Sequence, residues 1–423
     1  MTTLRETLYN HKSEYIKSLK EFVACDTQVI GHGVKGGLEA NGQAYLKNLL
    51  VALGADKVEM DPMNETLIKE AILKHQEGNP DHDYKGRENL YASFLGRSDK
   101  HLIFNGHVDT MPMGNPNAWQ TSPLAPTERD GRLYGLGACD MKGGLMAAIM
   151  AIKLLKDSGQ SLPCHVSIIS VVDEEGGGNG SIQASMRGIK GDGVVVCEPT
   201  DDELILAHMG FVFFRVTVKG RANHSGAKWL GVSAIEKAIK VIHALEALEE
   251  SWTEKYHHVL LPPPSLNVGT IKGGDAASTV ADSCQFEVCI HYLPEQMTFE
   301  DVRDAFYQAI AIEDDWLSEH PLTVEMYQAG GGFLQDERHT FVSHFKEAYK
   351  QATGRRLTVA GSPAGCDSRI WRNIADVPTL QFGPGRLSEC HAIDEYIEIE
   401  AYLEAILVYA ELIRAFAEEE HSL

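Results

Sequence analysis

The stretch His101-Leu102-Ile103-Phe104-Asn105-Gly106-His107-Val108-Asp109-Thr110 sets the frame for the chain. Its first four residues read as a buried strand, followed by a Gly-, Pro- and Asn-rich run and a helical pattern at 144–155. Further on, 165–172 is β-branched and apolar, 181–186 reads as a helix, and Val194-Val195-Val196 is another short buried strand. Strands separated by helices in this way mark an α/β layer on a mainly parallel sheet. Upstream, Leu8, Tyr15, Ile16, Leu19, Phe22 and Val23 fall near helical spacing, with no apolar core and cleavage site ahead of them, so the start reads as a helix of the mature protein.

From about Ala207 the alternation stops. Strands are expected at 211–218, 266–271 and 284–293, an amphipathic helix at 231–249 and another at 298–312, which together describe a separate α+β unit. Pro262-Pro263-Pro264 reads as a surface connection inside it. After Pro321 the chain returns to α/β character and ends in a helix at 398–416, with Ile399, Tyr402, Ile406, Tyr409 and Ile413 on one face. The expectation is one domain of residues 1–206 and 322–423 interrupted by an inserted domain, 207–321. A length of 423 residues, against ~150 for a typical domain, agrees with more than one core. The charge-rich segment 57–85, with a helix at 65–75, reads as an extra excursion beside the site.

With 38 Lys and Arg against 60 Asp and Glu, the net charge of −22 argues against nucleic acid or an anionic membrane as partner, because either needs a basic footprint. Small molecules, cationic ligands and metal ions remain. The longest apolar stretch, 145–155, is interrupted by Lys153 and is far short of a membrane span. Eight cysteines without a Cys-x-x-Cys pair suit neither a disulfide framework nor a thiolate zinc site, and a cytoplasmic location is expected.

In an extended backbone His107 and Asp109 share a side, so the carboxylate can accept a proton from one imidazole nitrogen while the other binds a metal. Alone, His-x-Asp also describes a hydrogen-bonded loop histidine. Other segments add weight: Tyr134-Gly-Leu-Gly-Ala-Cys-Asp140-Met-Lys-Gly-Gly144 places an acid at a Gly-rich turn before a helix, Glu174-Glu175 and Glu198 follow strands, and Glu389-Cys390-His391 lies late in the chain. Ligands of open α/β sheets collect beyond the carboxyl ends of strands. Two histidines and three separate acid positions suit a pair of borderline-soft divalent ions, whose charge Asp140, Glu175, Glu198 and a bridging hydroxide would neutralise. Cys139, Cys197, Cys366 and Cys390 immediately precede Asp140, Glu198, Asp367 and His391; because adjacent side chains diverge, they read as small apolar packing rather than ligands. The Gly-rich run 176–180 lacks the Lys of a phosphate loop, and a glycosidase would leave the histidines without a role.

Along nearly its whole length the chain resembles the co-catalytic zinc deacylases and peptidases that include acetylornithine deacetylase, succinyl-diaminopimelate desuccinylase and aminoacylase. The segments at His107–Asp109, 134–144 and Glu174-Glu175 carry the resemblance, followed in order by Glu198-Pro199, Asn223-His224-Ser225-Gly226 and His391. It implies that His107 and Glu198 hold one ion, Glu175 and His391 the other, and that Asp140 bridges them. It further implies Glu174 as general base, Asp109 as the partner of His107, and His224 as an oxyanion donor, often supplied across a homodimer formed through the inserted lid domain. The ions would be zinc, with cobalt or manganese possible.

Two departures concern the substrate. Relatives usually carry a basic residue where this chain has Met209, before Gly210, and an Arg near Ile290-His291 ahead of Leu293-Pro294. Both changes remove a fixed cation suited to a carboxylate. His291, partly protonated, Asn267 and Arg369 are the candidate substrate contacts, with Arg386 a further anchor. The expected activity is metal-dependent removal of an N-acyl group from a small amino compound, most like acetylornithine deacetylase. N-succinyl-diaminopimelate, other N-acyl amino acids, dipeptides and an N-formylated aminopyrimidine are the other substrates expected of the class. A non-catalytic binding descendant should have lost ligands or base, and this chain retains all of them.

Overall fold

The computed structural model describes residues 3–417. The chain forms two compact units: the chain up to Leu206 with Gln335–Ala360 and the residues from Cys366 on, and Ala207–Leu334 with Gly361–Gly365.

At the centre of the first unit, His101–His107 lies between His165–Val171 and Gly193–Val196, parallel to both, and Thr379–Gln381 continues the parallel run beyond Gly193–Val196. Antiparallel strands flank it, Glu88–Phe94 and then Lys57–Pro62 on one side, Glu203–His208 on the other. The strand begun at His101 therefore runs three residues past Phe104 and carries His107 at its end. The helix Gly143–Asp157 is buried almost all round, as expected for a helix apolar on every face. Lys153, which interrupts its apolar run, pairs with Asp157 at 2.9 Å and Glu14 at 3.2 Å. The N-terminal pattern is broken at His11 into Leu4–Asn10 and Lys12–Val23, and its six apolar positions are all buried. In the 57–85 excursion, Lys57–Pro62 supplies an edge strand and Glu65–His75 a helix whose Asn64 cap accepts from Thr66 N–H at 2.9 Å.

In the second unit the strands run in the order Ser265–Gly273, Ser283–Tyr292, Gly210–Lys219, Thr323–Gly330, all antiparallel. Alternate residues of Gly210–Lys219 and Ser283–Tyr292 are buried with the apolar faces of Ala234–Lys255 and Phe299–Ile310, and Phe214 stacks on Phe306 at 3.9 Å. The return to the first unit comes at Leu334 rather than at Pro321. Thr323–Gly330 pairs with Gly210–Lys219, and this half-exposed edge strand, without a clean apolar alternation, gives a weak signal. Among the described residues, no helix is long and apolar enough to cross a membrane.

Candidate metal centre

His107 is 1% exposed, and its Nδ1 lies 2.8 Å from the backbone carbonyl of Asp109. A carbonyl only accepts, so the neutral ring carries its proton on Nδ1 and keeps the Nε2 lone pair. Nε2 is 3.2 Å from Asp140 Oδ1, 3.8 Å from Glu198 Oε1 and 4.0 Å from Glu174 Oε2. Asp109 thus meets His107 twice: its backbone carbonyl takes the hydrogen bond, and its carboxylate Oδ1 stands at ion-pair distance, 3.7 Å from Nδ1. The strand stops at His107, so Asp109 leaves the two-residue repeat. Its Oδ2 accepts from Glu175 N–H at 3.0 Å, while its buried Oδ1 has no hydrogen-bond partner among the described residues.

Asp140 follows a turn that Gly137 opens in the left-handed region, φ 75°, and the Asp140–Met141 peptide is cis. Buried Glu395, which the sequence did not single out, holds this turn by accepting from Gly137 N–H at 2.7 Å, Cys139 N–H at 2.8 Å and Asp140 N–H at 3.0 Å. Asp140 Oδ1 faces His107, and Oδ2 is 3.2 Å from His391 Nε2. His391 Nε2 also lies 3.1 Å from Glu175. Beyond the strand His165–Val171, the adjacent acids diverge: Glu174 goes to the His107 side and Glu175 to the His391 side. The preceding residue, Asp173, is fixed in the left-handed region, φ 62°, by His82 at 2.7 Å, Arg87 at 2.8 Å and Asn179 at 2.8 Å. Arg87 also pairs with buried Glu39. The use of the 57–85 excursion becomes visible here, since it ends close to His82.

Two donor sets suited to an ion result, His107–Asp140–Glu198 and Asp140–Glu175–His391, each with ligand atoms within 4.8 Å of one another and sharing Asp140. Neither includes a cysteine; Cys139, Cys197 and Cys366 are buried thiols. A third grouping, His11, Glu14 and Asp157, lies on the helical surface, where Lys153 already pairs with both acids. The electrostatics ask for cations. Burial and then Asp367, Glu175 and Asp109 push Glu174 well above the usual carboxylate range against His107, and burial with Asp140 and Glu174 does the same for Glu198. Burial opposes charge on His107, yet Asp140, Glu198, Asp109 and Glu174 outweigh it and hold its pKa well up. Asp140 is buried too, but the two histidines keep it below the ordinary range.

The expected substrate contacts fare differently. Arg369 is 2% exposed and donates to Glu77 at 2.9 Å, to the Cys366 carbonyl at 2.6 Å and to the Gly177 carbonyl at 3.2 Å, so its guanidinium serves the fold rather than a ligand carboxylate. Asp367, beside it, accepts from Ser181 Oγ at 2.6 Å, and burial pushes its carboxyl up to about 6. His291 sits opposite Ser265 on the sheet of the second unit, and burial pushes its pKa down, against the partial protonation expected of it. Asn267 is exposed on the adjacent strand. His224 is exposed as well, its Nδ1 accepting from Gly226 N–H at 3.1 Å. Arg386 pairs with Glu398 at 3.2 Å.

A sequence model of peptidase family M20/M25/M40 matches residues 103–415. The chain is 32% identical over 342 residues to the N-formyl-4-amino-5-aminomethyl-2-methylpyrimidine deformylase of Halalkalibacterium halodurans, covering 75% of this chain and 80% of that protein. It is 29% identical over 364 residues to the acetylornithine deacetylase of Proteus mirabilis, covering 84% and 90%. In fold it matches an M20 family metallo-carboxypeptidase of Sulfolobus solfataricus with a TM-score of 0.76, at 19% identity, over 96% of this chain and 99% of that one.

Proposed function

The chain belongs to peptidase family M20/M25/M40 and is a metal-dependent amide hydrolase; on that premise we propose that it removes a small acyl group, formyl first among candidates, from an amine that carries no carboxylate. The observation that carries the reading is the pair of 3.2 Å approaches from the two oxygens of Asp140 to two different histidines. A carboxylate so placed is the natural bridge of a two-ion site.

A pair of divalent ions, zinc first among candidates, would be held by His107 and Glu198 on one side and by Glu175 and His391 on the other, with Asp140 common to both donor sets. When bound, such ions lower the pKa of a shared water and polarise the amide carbonyl. The remaining steps belong to side chains. Glu174, 4.0 Å from His107 Nε2 on the buried side of the two donor sets, is placed to take the water's proton and to return it to the departing amine. The Asp109 carbonyl fixes the ring tautomer of His107, and Glu395 fixes the loop of Asp140. His224 is proposed as oxyanion donor by resemblance alone, acting across a homodimer formed through the second unit. A strictly monomeric, fully active protein in sedimentation would refute that arrangement.

Support for an amine lacking a carboxylate comes from Met209, from His291 with its lowered pKa, and from the engagement of Arg369 by Glu77. The named deformylase relative points the same way. The second reading, an acetylornithine deacetylase-like activity, rests on the Proteus mirabilis relative. Release of free amine by the zinc-loaded protein from N-formyl-aminomethylpyrimidine and from N-acetylornithine, with metal content measured in parallel, separates the two. Bound metal near two equivalents with rapid deformylation is the expected outcome. A folded protein that takes up no metal and cleaves neither compound would be a binding descendant instead.

A further inference from the structure

The segment 77–87, at the end of the charge-rich excursion, is bonded along the turn 173–179 that carries Glu174 and Glu175. Asn79 and Asn179 pair reciprocally at 3.0 Å in each direction, and the Asn79 amide also donates to the Gly176 carbonyl. Tyr84 Oη accepts from Asn179 Nδ2 at 2.8 Å. Glu77 holds Arg369, which reaches the Gly177 carbonyl at 3.2 Å. His82 and Arg87 meet Asp173 itself, at 2.7 and 2.8 Å. Resting on the amide-hydrolase reading above, we infer that this segment aims the two acids of the centre, with His82 as a positioning residue that acts through Asp173 to keep Glu174 toward His107 and Glu175 toward His391.

Asp173 has φ 62°, a conformation that L side chains rarely adopt and that persists where the surroundings over-determine it. Glu174 and Glu175 follow directly, so the backbone of Asp173 sets the direction of both carboxylates. A side chain at Gly33 or Gly176 would collide with Asp173 Oδ1, which leaves that carboxylate enclosed.

Inside the enclosure its contacts divide by kind. Arg87 supplies the charge a buried carboxylate needs and pairs with Glu39 as well, so its loss would strand two buried anions. His82, with 3% of its side chain exposed, supplies a hydrogen bond: a carboxylate only accepts, so Nδ1 carries the proton. Without His82, Asp173 would still pair with Arg87 and accept from Asn179 at 2.8 Å. The charge balance survives, and the turn loses one of the bonds that fix its angle.

The test uses the whole chain loaded with zinc, N-formyl-aminomethylpyrimidine and N-acetylornithine as substrates, and the variants His82→Leu, His82→Asn and Tyr84→Phe. Zinc content, zinc affinity and unfolding temperature are measured for each. For His82→Leu, kcat per pair of bound zinc ions is expected to fall by about 10²-fold, with KM held within about threefold and zinc affinity lowered by about tenfold. His82→Asn, whose amide can donate from near the Nδ1 position, should recover most of both losses. Tyr84→Phe removes one anchor of Asn179 and keeps the ring; it should lower kcat by about threefold or more, and it carries the test if His82→Leu does not fold. Unchanged kcat and zinc affinity in His82→Leu, or in Tyr84→Phe in its place, would overturn the positioning role whatever the unfolding temperature does, and would leave the hydrolase reading standing. An Asn variant as impaired as the Leu variant would overturn it too. Wild-type protein that holds zinc and cleaves neither compound would remove the hydrolase reading and this inference with it.

Discussion

The two histidines of the centre stand on different kinds of structure. His107 ends a strand inside the parallel sheet, is 1% exposed and has its ring set by a backbone carbonyl. His391 lies on a loop in the left-handed region, φ 58°, with 49% of its side chain exposed. One half of the centre is built with the core, where close packing fixes geometry; the other is laid over it from a late segment. Asp140 joins the two halves, one carboxylate oxygen toward each histidine.

The largest effect tests the buried side. Glu174→Ala should lower kcat by a factor of about 10² to 10⁴ while the protein keeps its metal, as read by metal analysis beside turnover. Substantial turnover in that variant would remove Glu174 as base. Next come the histidines themselves. His107→Ala should abolish metal at the buried set and cost about 1–3 kcal/mol in urea unfolding, because the Asp109 carbonyl and buried carboxylates lose their partner. His391→Ala should lose the exposed set and cost less in urea unfolding than His107→Ala, because its side chain is half exposed. Equal losses from the two variants would break the comparison. Smaller still is the expected kinetic asymmetry: a chelator should strip the ions in two phases, the faster absent from His391→Ala.

Acidification sharpens the same contrast. In the metal-free protein Asp140 and Glu175 hold the pKa of His391 up to about 11, and that of His107 is also raised. For a base raised above its unfolded value of ~6.5, the protonated pairing stabilises the fold fully below that value and is lost as pH climbs through the folded one. Metal must displace these protons, so zinc affinity should rise with pH and binding should release protons. Calorimetry in buffers of different ionisation enthalpy would detect them, and zinc uptake at neutral pH without proton release would contradict the assignment.

Much of this was legible along the chain where the signal is local. The strand at His101, the Gly-rich turn before Asp140 and the adjacent acids Glu174 and Glu175 announce themselves through short-range pattern, and the structure brings His107, Asp140, Glu174, Glu175, Glu198 and His391 together. What the pattern missed is nonlocal. Arg369 meets Glu77 and Glu395 meets the Asp140 turn across most of the chain, and neither partner advertises the other. The end of the second unit escaped for a different reason: Pro321 reads as a break, yet the edge strand after it still belongs to the same sheet.

The grip of Glu395 on Gly137, Cys139 and Asp140 has a consequence for how the protein is made. The turn that aims the shared carboxylate is synthesised 255 residues before its hydrogen-bond acceptor, which follows His391. A nascent chain that has passed Glu198 therefore holds His107, Glu175 and Glu198 without the brace on the Asp140 turn until Glu395 is added. The order of the residues thus makes the bracing of the Asp140 turn a later event than the synthesis of the acids around it.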